Sequence, residues 1–113
     1  AALGALAAEQ NFTAARFGIN TVVIVNNNHS LGQEQRLFNA AYGGAQSGQA
    51  HMMWMFKESN FAKVAEGMGC VGIRVERPSE LRGALEKAFS CGGPAVIDVI
   101  SDYRVLNPRA WSE

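Results

Sequence analysis

Residues 21–25 and 95–100 are short runs in which apolar, mostly β-branched side chains occupy both faces of an extended chain. A strand covered on one face only alternates apolar with polar residues, so these runs predict strands buried between helix layers rather than half-exposed edges. A third run alternates, with Val71, Ile73 and Val75 on one side. Between the runs the apolar spacing changes to the helical period. Leu3, Leu6, Ala7, Ala14 and Phe17 fall mainly on one side of a wheel that Gly18 closes. Phe61, Val64, Ala65 and Met68 follow a cap at Ser59 or Asn60 and end at Gly67 and Gly69. Leu81, Ala84, Leu85, Ala88 and Phe89 follow Pro78 and Ser79 and leave at Gly92 and Gly93. The order helix, strand, loop with helix, strand, helix, strand predicts an α/β fold, a three-layer α/β/α sandwich with a largely parallel sheet and right-handed crossovers.

The three asparagines Asn26, Asn27 and Asn28 are expected to end the first strand, because their side chains compete with the ladder for backbone groups. From residue 29 to 58 the pattern loosens. A short helix is expected over 33–41, followed by a connection marked by Gly43, Gly44, Ser47 and Gly48, and loops of this length in a small domain are functional or disordered. The 113 residues, 48% of them hydrophobic, suit one domain over 1–113. Ten Lys and Arg are scattered against ten Asp and Glu, which leaves no basic footprint for nucleic acid. The longest apolar stretches, 21–25 and 52–56, are too short to span a bilayer. Cys70 and Cys91 make no disulfide framework and have no metal-ligand spacing, so they read as reduced thiols of a cytoplasmic protein. The chain opens at Ala1, without Met and inside a helix, and is expected to be a segment of something longer.

In an open parallel sheet, ligands bind beyond the carboxyl ends of the strands, where helix N-termini converge. Asn27 and Asn28 stand at such an end. Alternation sends Asn26 and Asn28 to one face and Asn27 to the other. An Asn amide oxygen is a neutral hard donor suited to Mg²⁺ when phosphate oxygens and a carboxylate complete the shell. The same three residues also make an ordinary turn. Residues 67–72 match Gly-x-Gly-x-x-Gly by letter, but they follow a helix and open a strand, the reverse of a dinucleotide site. His29 is a candidate for orienting a ligand, or a partly exposed polar residue beside a turn. His51 precedes the run 52–56, which is too apolar for an idle loop, so Trp54 and Phe56 are candidates for substrate contact, an interface or plain packing. Asp98 reads as a hydrogen-bonded strand-end residue. Residues 102–113, with Trp111, read as a tail that docks or frays.

The order of motifs carries a resemblance. Asn27-Asn28-His29-Ser30-Leu31-Gly32 follows the first strand, and Asn60-Phe61-Ala62-Lys63-Val64-Ala65-Glu66 leads into Gly72-Ile73-Arg74-Val75. Pro78-Ser79-Glu80-Leu81 and Gly93-Pro94-Ala95-Val96-Ile97-Asp98-Val99 continue the series. Over nearly the whole chain this resembles the C-terminal, diphosphate-binding domain of thiamine diphosphate-dependent enzymes, nearest to the pyruvate oxidase and acetohydroxyacid synthase branch.

The resemblance implies the thiamine diphosphate-binding fold, with thiamine diphosphate and Mg²⁺ as cofactors and, in an oxidase-like case, FAD. In that family Mg²⁺ is held by the Asp of a Gly-Asp-Gly motif, the second Asn of the pair, a backbone carbonyl two residues later, two diphosphate oxygens and water. Anchored on Leu31 and Gly32, the carry-over makes Asn28 the side-chain ligand and Ser30 the carbonyl ligand, with Leu31, Gly32 and Ala2 beside the cofactor. A rival register uses Asn27 and the carbonyl of His29. No Gly-Asp-Gly occurs here, and the preferred register places Ala1 where the Asp belongs. The implied activity is decarboxylation of a 2-oxo acid such as pyruvate, with protonation, oxidation or carboligation of the resulting enamine. The implied partners are a pyrimidine-side domain or subunit, which carries the activating Glu, and further copies in a homo-oligomer. A different class stays open, a noncatalytic interaction module that keeps the fold and has lost the metal. A third, a flavodoxin-like receiver or flavin module, lacks the acidic cluster or phosphate loop it needs.

Overall fold

A computed structural model describes residues 2–45 and 48–105. The three apolar runs form β1 (Val22–Asn27), β2 (Val71–Val75) and β3 (Ala95–Ile100). Among the described residues they make a three-stranded parallel sheet in the order β1-β3-β2. The helices are α1 (Ala2–Phe17), α2 (Gly32–Ala41), α3 (Phe61–Gly67) and α4 (Leu81–Ser90). Short 3-10 turns cover Gly48–Met53 and Pro78–Glu80. On one face of the sheet Ala84 and Ala88 of α4 pack with Val75, Ala95 and Ile97. On the other, Ala65 of α3 and Ala15 of α1 pack with Cys70, Val96, Val23 and Val25. The three-layer α/β/α arrangement with a parallel sheet is the one that the sequence pattern predicts.

The continuous apolar run at 95–100 belongs to the central strand, as expected, because β3 is paired on both edges and covered on both faces. The run at 21–25 departs from expectation. β1 lies at the edge of the described sheet and Ile24 is 55% exposed, because α4 packs over β2 and β3. Two asparagines expected to end the strand stay in the ladder, Asn26 opposite Val99 and Asn27 opposite Ile100. Their side chains also find partners across the sheet. Asn26 Oδ1 accepts from Ser101 Oγ, and Asn27 Nδ2 donates to the Ser59 carbonyl and to Asp98.

The helices also bury smaller residues than their periodicity suggests. α3 turns Ala62 and Ala65 inward while Val64 is exposed, and α4 turns Ala84 and Ala88 inward while Phe89 is exposed. Phe17 of α1 is exposed as well, beside buried Ala14. Leu81 and Leu85 are partly buried on the α4 face, as expected. Alanine at the contact lets the helix axes approach the sheet, which leaves the larger residues of the same stripe at its rim. Asn60 is the α3 cap, its side chain accepting from Lys63 N at 2.9 Å. Pro78 and Ser79 open a 3-10 turn before α4 rather than α4 itself. Gly18, at φ +64°, ends α1.

Candidate functional site

Beyond the carboxyl end of β1 the chain makes two successive turns, each closed by an asparagine. Asn27 Oδ1 accepts from His29 N at 3.3 Å, and Asn28 Oδ1 accepts from Ser30 N at 3.1 Å. His29 between them has φ +51°, a left-handed backbone that a non-glycine residue adopts only when its surroundings hold it there.

The surroundings are the segment 54–56. Leu31 N donates to the Trp54 carbonyl at 2.8 Å and Phe56 N donates to the His29 carbonyl at 2.8 Å, with Ser30 opposite Met55 in an antiparallel bridge. Trp54, 7% exposed, stands with its ring 5.0 Å from that of Phe38 on α2, and Phe38 stacks on Tyr42 at 4.3 Å. Of the apolar run 52–56, therefore, only Trp54 is buried; Met52, Met53 and Phe56 remain exposed. Trp54 packs inside this domain, and Phe56, 41% exposed, lies beside the turn. On another side Gly32 opens α2 beneath the Tyr103 carbonyl, 3.0 Å from where a methyl group would sit. A groove of about 340 Å³ there is lined by Gly32, Gln35, Arg36, Asn39, Tyr103 and Arg104. Leu31, at the N-cap of α2, makes no side-chain capping bond.

The two asparagines differ in burial and in the partners of their amide nitrogens. Asn27 is buried; both N–H groups of its amide are donated, to the Ser59 carbonyl and to Asp98, and its oxygen accepts one bond, from His29 N. Asn28 is half-buried and its oxygen accepts one bond, from Ser30 N, which leaves a lone pair. Ser30 is 4% exposed, yet among the described residues its hydroxyl has no partner, and neither has the buried Nδ1 of His29. Orphaned polar atoms cost stability unless a ligand or water satisfies them, so their presence in this turn fits a bound group. The oxygens offered for a cation are neutral, the amide of Asn28 and the carbonyl of Ser30. Among the described residues no group of three His, Cys, Asp or Glu could hold a metal. These residues fit part of a Mg²⁺ shell whose negative ligands come from a phosphate and a carboxylate supplied elsewhere.

Several other expectations meet the structure plainly. Ala2 begins α1 with its side chain outside the described residues, and Ala1 and Trp111 lie wholly outside them. His51 Nδ1 lies 3.0 Å from the Gly48 carbonyl inside its own 3-10 turn, away from the asparagines. Residues 67–72 close α3 and open β2, with Gly69 at φ +83°. Asp98 is hydrogen-bonded, as expected, but it stands inside β3 opposite Val25 and Arg74, not at the strand end, and it is completely buried. Its Oδ1 accepts from Asn27 Nδ2 at 2.9 Å, and its Oδ2 accepts from Phe61 N at 3.0 Å and Arg74 Nη1 at 3.3 Å. Arg74 also reaches Glu58 and Glu76. Sequence reasoning missed Arg74. The available signal was an acid in an apolar strand, which needs a cation, and a single cation within another strand.

Fold and turn together define an α/β domain that presents neutral oxygen donors and a helix N-terminus beyond a parallel strand, a cofactor-binding class. Residues 4–99 match the family described as thiamine pyrophosphate enzyme, C-terminal TPP binding domain, and the chain belongs to it. Similar proteins include the acetolactate synthase large subunit of Haemophilus influenzae, 40% identical over 78 residues, which are 69% of this chain and 13% of that protein. A probable acetolactate synthase of Mycobacterium bovis is 33% identical over 97 residues, 86% of this chain and 17% of the relative. A 2-hydroxyacyl-CoA lyase of Arabidopsis thaliana is 31% identical over 100 residues, 80% of this chain and 16% of the relative. The chain thus spans less than a fifth of the length of these relatives.

Proposed function

We propose that this chain is the part of a thiamine diphosphate enzyme that holds the cofactor diphosphate through Mg²⁺, in an enzyme that decarboxylates a 2-oxo acid of the pyruvate type. Carboligation is the favoured outcome, because three of the relatives most like this chain carry acetolactate synthase names. An oxidative outcome with FAD is the runner-up. The observation that carries the reading is the turn after β1, where Asn28 keeps an oxygen lone pair beside the unpartnered, buried hydroxyl of Ser30.

In this reading Asn28 Oδ1 and the Ser30 carbonyl bind the cation, with Asn27 as the rival ligand in the other register. Leu31 and Gly32 bring the N-terminus of α2 toward the diphosphate, and Ala2 lies near it. Once bound, thiamine diphosphate supplies the carbon nucleophile and electron sink that 2-oxo acid decarboxylation requires. The residues of this chain anchor and orient it. A pyrimidine-side domain or subunit completes the site, in a homo-oligomer working in the cytoplasm. Among the described residues no helix is long and apolar enough to cross a membrane.

The test is a thermal unfolding series on the full-length protein with thiamine diphosphate, Mg²⁺, both, or both plus EDTA. The pair together should raise Tm and EDTA should abolish the rise, as linkage requires of a ligand that binds the folded state. Asn28→Ala should shrink the rise. No shift with the pair would favour the noncatalytic module.

A further inference from the structure

Asp98 is completely buried, in the middle of the central strand, on the sheet face that α3 covers. A buried ionisable group is costly unless every lone pair is used, and packed apolar residues of similar size often do as well or better for stability. Its place at the centre of a hydrogen-bonded network therefore points to a role beyond packing. Its three hydrogen bonds connect three separate pieces of chain. Phe61 N is the start of α3, Arg74 belongs to β2, and Asn27 is the last residue of β1. The connection continues past Asn27, whose Oδ1 accepts from His29 N at 3.3 Å while its Nδ2 also holds the Ser59 carbonyl at 3.0 Å. Asn28 is thus gripped on both sides by groups that trace back to one carboxylate, the Asn27 side chain before it and the His29 backbone after it.

We infer that Asp98 is a positioning residue, which through the Asn27 amide sets the geometry of the turn carrying Asn28 and so the affinity for the divalent cation. The inference rests on the reading of that turn as the cofactor site. Asparagine at 98 is a stringent substitution because it keeps the shape but replaces one acceptor oxygen with an NH₂ that would face N–H donors. Arg74 supports the same carboxylate from β2, while its other nitrogens hold Glu58 and Glu76. Glu58 adjoins Ser59, the other partner of Asn27, so the same network also holds the end of the 54–58 segment.

The experiment titrates Mg²⁺ into full-length protein at saturating thiamine diphosphate, following intrinsic tryptophan fluorescence, with the Tm of each cofactor-free variant measured alongside. Asp98→Asn and Asn27→Ala should each raise the apparent Kd for Mg²⁺ by about 10-fold, the usual size of an outer-shell effect. Asp98→Asn combined with Asn28→Ala should be no worse than Asn28→Ala alone, since both act through one ligand. A lowered Tm with an unchanged Kd in Asp98→Asn and Asn27→Ala, or effects that multiply in full in the double variant, would overturn the inference and leave Asp98 a plain stability residue. If Asp98→Asn does not fold, Asn27→Ala and its combination with Asn28→Ala decide the same question, because Asn27→Ala cuts the link while sparing Asp98's bonds to Arg74 and Phe61, and effects that multiply in full in the combination would overturn the inference. An unchanged Kd in Asn28→Ala would overturn Asn28 as the ligand and this inference with it, while the absence of any Tm rise with thiamine diphosphate and Mg²⁺ would overturn the cofactor reading itself.

Discussion

Gly72 of β2 lies so close beneath α3 that a methyl group on it would stand 2.1 Å from the Ala62 carbonyl oxygen. Backbone meets backbone there, so no rotamer change relieves the clash. Gly72→Ala should therefore destabilise the domain by about 3 kcal/mol, at the upper end for overpacking, measured by urea unfolding. Gly83, whose methyl position meets nothing, is the control and should accept Ala with no loss.

Trp54 joins the packing of α2 to the turn after β1, with its ring against Phe38 and its carbonyl holding Leu31 N. Trp54→Ala should cost about 3 kcal/mol from lost burial, and it should also weaken thiamine diphosphate binding by loosening residues 29–31. Trp54→Phe should recover most of both. Chemical denaturation and fluorescence titration of the cofactor separate the two effects.

Ser30 makes opposite predictions for free and bound protein. Its buried hydroxyl has no partner among the described residues, so Ser30→Ala should leave the cofactor-free Tm unchanged or raised. The rise in Tm caused by thiamine diphosphate with Mg²⁺ should become smaller, because a hydrogen bond available to the bound group is gone. A lowered cofactor-free Tm would mean that the hydroxyl is satisfied within the protein.

Arg104 donates to Asp102 through Nε, Nη2 and its backbone N, which holds the carboxyl down from 3.8 to about 2. A folded value below the unfolded one contributes stability above pH 3.8 that is lost as pH falls through about 2. Both side chains are exposed, so the loss should be local to the turn at 102–105 and weakened by salt. A ¹³C carboxyl titration should place the Asp102 midpoint near 2, and Arg104→Gln should return it toward 3.8.

Much of the scaffold was legible because backbone preference and solvent exclusion act locally. The β-branched run at 95–100 and the short helix at 33–41 are observed nearly as read, since each carries its own period and stop signals. Val64, Phe89 and Phe17 have the right spacing for an inner face, yet alanines take the contact, and for α3 the close approach is allowed by Gly72 on another element, where a methyl group would meet the Ala62 carbonyl. The cover over Ile24 likewise depends on where α4 settles, which no property of residues 21–25 records.

The asparagine turn divides the same way. Its position after a parallel strand, and the choice between Asn27 and Asn28 as ligand, were readable as a motif with two registers. What separates the two residues is Asp98, 71 positions away in sequence from Asn27, together with the Ser59 carbonyl. The sequence alone determined which elements form and which oxygens are available. Tertiary structure decided which asparagine is buried with its amide nitrogen paired inside the protein and which stays half-buried, because burial and hydrogen-bond partners depend on neighbours that only folding brings together.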